Sequence, residues 1–184
     1  MTSTPIKIWP LAKIIAPETI TWGERIMIDD FVFIGAQRKL IIGNYVHIAT
    51  HSSITGGGEC ILADFCGLSS GVRIITGTDD FLGGGLTNPC IPSEFRAVRR
   101  GRVVIESHAI IGANTVVFPD IVIGEGVAVS AGSVVTKDLE PWGVYAGAPA
   151  RRVKPRPMDA VLDAEQALYR RFGAPTPSYR LPER

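Results

Sequence analysis

The sequence is poor in the residues that build metal clusters, disulfide frameworks and membrane spans. Only three cysteines occur in 184 residues, Cys60, Cys66 and Cys90, without Cys-x-x-Cys spacing. That excludes a disulfide-stapled fold and a zinc ribbon, and leaves free thiols suited to a reducing cytoplasm. No apolar run approaches the ~20 residues that cross a bilayer. The opening MTSTPIKIWPLAKII also lacks the regions of a secretory leader. A cytoplasmic protein without a membrane partner is expected. Charge of one sign is missing too. The 19 Lys/Arg stand against 18 Asp/Glu, without the basic excess that nucleic-acid binding demands. Histidine is scarce: His47, His51 and His108 are all there is.

What is present fits one globular domain, with 46% hydrophobic and 20% charged residues. Twenty glycines and 13 prolines among many Val and Ile residues favour short strands and tight turns over a helical bundle. Stepping by six from Ile105 lands on Ile111, Val117, Ile123, Val129 and Val135. The residue four further on is Ala109, Thr115, Ile121, Val127, Ser133 and Leu139, mostly small or β-branched. The same frame runs through Ile42, Ile48 and Ile54, then resumes two residues late at Leu62, Leu68 and Ile74. A weaker pair, Ile28 and Ile34, precedes it, with Arg38 out of place at the small position. Period six suits neither a helix nor a two-sided strand. Parallel strands joined by ordinary crossovers need a dozen residues or more. Six leave no room, so the chain must coil as an all-β solenoid whose turns are stable only when stacked.

The repeat resembles the hexapeptide of left-handed parallel β-helix acyltransferases. The segments Ala131-Gly132-Ser133-Val134-Val135-Thr136-Lys137-Asp138 and Gly143-Val144-Tyr145-Ala146-Gly147-Ala148-Pro149-Ala150-Arg151 are similar to the closing signature of galactoside, maltose and sugar-nucleotide acetyltransferases. The resemblance covers roughly residues 14–156. It implies a left-handed β-helix, a homotrimer, and acetyl-CoA held as cosubstrate between subunits. The sequence then divides into a β-helix domain, 1–156, and a C-terminal helix and tail, 157–184. The frame breaks between Ile75 and Val103, giving a protruding loop over about 76–102. Phe81, Leu86, Ile91 and Phe95 are its expected anchors. Beyond the prolines at 155 and 157, Met158 to Phe172 reads as an amphipathic helix stopped by Gly173. From Arg151 onward eight Lys/Arg meet four Asp/Glu, a local +4, while the rest carries eleven against fourteen, or −3.

Acyl transfer from a thioester needs a positioned acceptor, an exit for its proton and a donor for the oxyanion. His51 matches an active-site asparagine of galactoside-type enzymes and is the candidate base or acceptor contact, with an exposed coil residue as the bland alternative. His47 and His108 read as coil and turn residues. The galactoside-type histidine that follows a Thr-Gly pair is absent here, because Thr78 stands in its place. Asp79 and Asp80 follow, able to orient His51, to grip an amino or hydroxyl group of a sugar, or simply to begin a turn. A neutral amine needs a base less than a hydroxyl does, which favours N-acetylation. By position, the resemblance assigns Ala113 and Ala131 to the pantetheine channel, Thr136 and Lys137 to the adenosine end, and Arg151 and Lys154 to the phosphates. The sequence thus points to acetyl transfer onto a sugar or nucleotide-linked sugar in surface polysaccharide biosynthesis. A non-catalytic scaffold is the alternative. A γ-class carbonic anhydrase would require converging zinc histidines.

Overall fold

The computed structural model describes residues 6–176. Each six-residue unit turns one side chain inward from a short strand and a second one inward at the corner. Ile111 with Thr115, and Ile123 with Val127, are buried in this way, while after Val117 the second inward residue, Ile121, already opens the next strand. Three such units close a turn, and about seven turns stack into a parallel β-solenoid of the left-handed β-helix kind.

Three flat sheets result, called faces A, B and C in chain order. Face A aligns Ile28, Ile48, Leu68, Ile111 and Val129 in register. Face B aligns Ile14, Ile34, Ile54, Ile74, Val117 and Val135. On face C, Leu40, Cys60, Val103 and Ile121 form one inward column, and Ile42, Leu62, Ile105 and Ile123 a second. Each fully buried Ile, Leu or Val contributes about 1.5–3 kcal/mol, so stability accrues turn by turn.

The two-residue slip in the early frame has a local cause. Five residues, 55–59, link Ile54 to Cys60 at the B–C corner, whereas three link Val117 to Ile121. Arg38 lies in this same widened corner of the turn below, which is why it broke the pattern.

The long excursion leaves from the B–C corner. Its stem is a two-stranded antiparallel ribbon, Gly77–Asp79 against Val98–Arg100. Of the expected anchors, Ile91 is partly buried, and the other three are not anchored within the chain. Phe81 and Leu82 are 88% and 95% exposed, and Leu86 and Phe95 are exposed as well. The arm is held by its polar stem, and its aliphatic and aromatic groups project from the chain.

At the C–A corner Arg25, Tyr45, Phe65, His108, Gly126 and Trp142 all adopt positive φ. This backbone is costly for side-chain-bearing residues, and stacking offsets the cost. Tyr45 and His108 each stack on Phe65 at 4.9 Å, and Trp142 meets His108 at 6.2 Å. Helix α1, Asp159–Phe172, one residue shorter than expected, lies over this ladder through Val161, Ala164 and Leu168. Gly173 ends it as anticipated, donating to Tyr169 O. Between solenoid and helix, Arg151–Pro155 runs back antiparallel to Gly143–Ala146. Most of the tail expected after the helix, residues 177–184, lies outside the described residues.

Candidate active site

The A–B corner also uses positive φ, at Phe31, His51, Gly71, Asn114 and Gly132. His51 is therefore fixed by the turn itself, and its ring rests against Phe31 at 5.1 Å. Its protonation pattern follows from its neighbour. The Thr50 hydroxyl donates its one proton to Asp30 O at 2.7 Å, so toward His51 Nδ1, 2.8 Å away, it can only accept. In the neutral ring Nδ1 is then the nitrogen that carries the hydrogen and Nε2 the one whose lone pair faces solvent. Arg73 Nη1 adds a bond to the His51 carbonyl and another to Gly71 O. This exposed imidazole is held in the tautomer a proton acceptor needs.

The other two histidines lie elsewhere. His47 Nε2 is 3.1 Å from Asp29 on the outside of face A. His108 is buried in the C–A ladder with Nε2 3.3 Å from Glu165 of α1.

Asp79 sits in the stem of the arm. Arg96 donates to its Oδ1 from Nε at 3.0 Å and from Nη2 at 2.7 Å, and the Asn88 N–H reaches Oδ2 at 3.2 Å. The hydrogen-bonding guanidinium holds the Asp79 carboxyl below its ordinary range. An ionised carboxylate offers about four acceptor positions, and the donors just named leave one open on Oδ2. Asp80 behaves as the turn former, its Oδ2 accepting from Gly84 N at 2.6 Å and Leu82 N at 3.2 Å. Within one chain the structure does not bring either aspartate to His51. The side-chain hydrogen bond of His51 among the described residues goes to Thr50.

A cavity of about 630 Å³ at the B–C corner joins Thr78 to Thr136 and Lys137, beneath Arg99 and Phe118. Arg99 is held over it by Asp120, at 2.6 and 3.1 Å. Ala113 and Ala131 lie at the A–B corner of the upper turns, where Gly132 N donates to Ala113 O. The exposed strand Arg151–Pro155 carries Arg151 and Lys154. Arg156 fastens it, donating from its backbone to Trp142 O and from Nη1 to His108 O at 2.9 Å and Gly126 O at 3.0 Å. Cys60 and Cys66 are buried in the core, and burial pushes the Cys60 thiol up to about 12 and raises Cys66 too. Neither supplies a thiolate at neutral pH.

Sequence reasoning missed Thr50 and Arg96. Thr50 is the residue directly before a positive-φ corner, a signal available once the corner is placed. Arg96 stands seventeen positions from Asp79 in a non-repeating segment, where no periodicity points to it.

No family model matches the chain. It is 37% identical over 152 residues to a dTDP-4-amino-4,6-dideoxy-D-glucose acyltransferase of Escherichia coli, covering 82% of this chain and 79% of that one. It is also 32% identical over 113 residues to a putative lipopolysaccharide biosynthesis O-acetyl transferase, WbbJ, of Escherichia coli K12, covering 61% and 56%. Among solved structures it is similar to AntD, an N-acyltransferase from Bacillus cereus in complex with dTDP and 3-hydroxybutyryl-CoA. There the TM-score is 0.85 at 36% identity, covering 91% of this chain and 88% of that one.

Proposed function

The chain belongs to the hexapeptide-repeat family of CoA-dependent sugar acyltransferases, and we propose that it acylates the amino group of a nucleotide-linked amino sugar. Acetyl-CoA is the simplest donor. The observation that carries the reading is the Asp79 carboxylate, ionised by Arg96 and left with one open acceptor position. An amine or ammonium N–H is what such a group takes, and a carboxyl held below its ordinary range is a weaker base for a hydroxyl than a free one. AntD has been solved with variants of a serine and of an aspartate ten positions apart. The same spacing separates Ser69 from Asp79 and Ser70 from Asp80 here.

His51 Nε2 takes the proton that an ammonium must lose before it attacks. The amine nitrogen then bonds to the thioester carbonyl carbon, the C–S bond breaks, and the remaining surplus proton leaves with the CoA sulfur. Lys137 and Thr136 in the B–C cavity, with Arg151 and Lys154 on the outer strand, hold the adenosine and phosphate end of CoA. Ala113 and Ala131 leave the pantetheine arm its path.

The site closes between subunits of a homotrimer. His51 and Asp79 do not meet in one chain, and the arm carries Phe81 and Leu82 almost fully exposed, which suits insertion against a second copy. No helix among the described residues is long and apolar enough to cross a membrane. Free thiols and a nucleotide-sugar acceptor fit a cytoplasmic step of surface polysaccharide assembly. The test is incubation with acetyl-CoA and a dTDP-linked 4-amino-4,6-dideoxyhexose or its 4-hydroxy counterpart, read by mass. N-acylation of the first alone is expected. Acylation of the hydroxyl compound alone, or of neither, overturns the reading.

A further inference from the structure

On the outside of face A, His47, Gly67 and Ile110 are register neighbours on adjacent strands. Gly67 has no visible structural reason to be glycine. Its backbone is absent from the positive-φ residues, and an added Cβ would meet only Ile110 Cγ1, at an ordinary 3.9 Å. Glycine in a strand weakens it and often marks a close approach by something else. Here its missing side chain forms the floor of a groove of about 290 Å³.

The two walls of this groove differ. Ile110 presents a half-exposed aliphatic surface, whereas His47 presents an imidazole held by Asp29. One end opens at Ser69 and Ser70, whose hydroxyls have no partner among the described residues. Ser69 stands two positions along the chain from Gly67, about 7 Å in extended backbone. The volume lies just under the range of about 300–1,000 Å³ usual for small-molecule sites, enough for one ring and not for a whole nucleotide sugar.

We propose that this groove is the bed for the hexose ring of the acceptor. The ring lies on Gly67, its C6 methyl against Ile110, its hydroxyls toward His47 and its amine toward the Ser69–Ser70 corner. A 6-deoxy ring has one apolar edge and one polar edge, matching the two walls. The assignment rests on the amino-sugar reading above and adds to it the residues that select the ring.

The test compares the wild type with Gly67→Ala and Gly67→Val, using acetyl-CoA and a dTDP-linked 4-amino-4,6-dideoxyhexose. CoA binding by calorimetry and oligomeric state by sedimentation are measured alongside. KM for the amino sugar should rise about tenfold in Gly67→Val and less in Gly67→Ala, with CoA affinity and oligomeric state unchanged. Should the valine variant fail to fold, the alanine variant decides by itself. The wild type should also prefer the 6-deoxy acceptor over its 6-hydroxymethyl counterpart by about tenfold, a preference that Ile110→Thr erodes. Unchanged KM in the Gly67 variants of an otherwise active enzyme overturns the bed and leaves the amino-sugar reading standing. A changed oligomeric state in Gly67→Ala marks a subunit contact and overturns it as well. A wild type inert on every nucleotide-linked amino sugar overturns both.

Discussion

Replacing Gly126 by alanine should damage this protein well beyond the usual cost of a surface methyl. The position has φ +63°, a conformation costing a Cβ-bearing residue about 1–2 kcal/mol. The added Cβ would also lie 2.4 Å from Cδ2 and Cε3 of Trp142, an overlap with a rigid indole. Trp142 must leave its place beside His108, forfeiting about 0.5–1.5 kcal/mol of aromatic contact and some burial. The total is about 3 kcal/mol, or roughly 6–12 °C in Tm for a chain of this size. Gly132→Ala is the internal control, since Gly132 has φ +70° and a Cβ added there would meet nothing within 4 Å; it should cost only the backbone part. The loss should reach function, because Arg156 holds the strand of Arg151 and Lys154 through the carbonyls of Gly126, His108 and Trp142. Gly126→Ala should therefore raise KM for acetyl-CoA, while Gly132→Ala raises it less. Calorimetric melting of both variants decides the stability argument. Equal Tm losses would refute the account of the corner ladder.

Other consequences can be checked separately. Thr50→Val removes the acceptor for His51 Nδ1–H and should lower kcat about tenfold or more, with CoA affinity unchanged and Thr50→Ser close to wild type; equal kcat in the two variants refutes the tautomer argument. Arg96→Met releases Asp79 from the group that lowers its pKa, so the acid limb of kcat/KM should move to higher pH, and an unmoved limb removes Asp79 from the site. By the same linkage, the Asp79–Arg96 pair stabilises the arm fully above the ordinary Asp range, and that contribution is lost as pH falls through the lowered value. Ala131→Phe should raise KM for acetyl-CoA at least tenfold, with Tm preserved at this exposed corner; an unchanged KM places the pantetheine arm elsewhere.

The solenoid was legible because burial repeats every six residues and every break had a local cause. Ile105 through Val135 read as one unbroken six-residue frame, and the late frame at Leu62 reflected a B–C corner wider by two residues. The helix was legible from Val161, Ala164 and Leu168. The arm was less so. Phe81, Leu86 and Phe95 looked like anchors because apolar residues usually find a core, yet this segment projects from its own chain. His108 read as a turn residue, correctly, but its burial depends on α1, more than fifty positions away. The Asp79–Arg96 pair and the Thr50–His51 bond depend on geometry that no repeat encodes. Gly67 was hidden for a different reason: among 20 glycines, only the folded structure distinguishes one needed by its turn from one that leaves space.

The central claim is that the His51 corner of one subunit and the Asp79 arm of another form a single site. Its most direct test mixes two inactive variants, His51→Ala and Asp79→Asn, and allows their subunits to exchange. Random trimers should regain about one quarter of wild-type turnover, because one corner in two and one arm in two are intact. A mixture as inactive as its parents would contradict the claim.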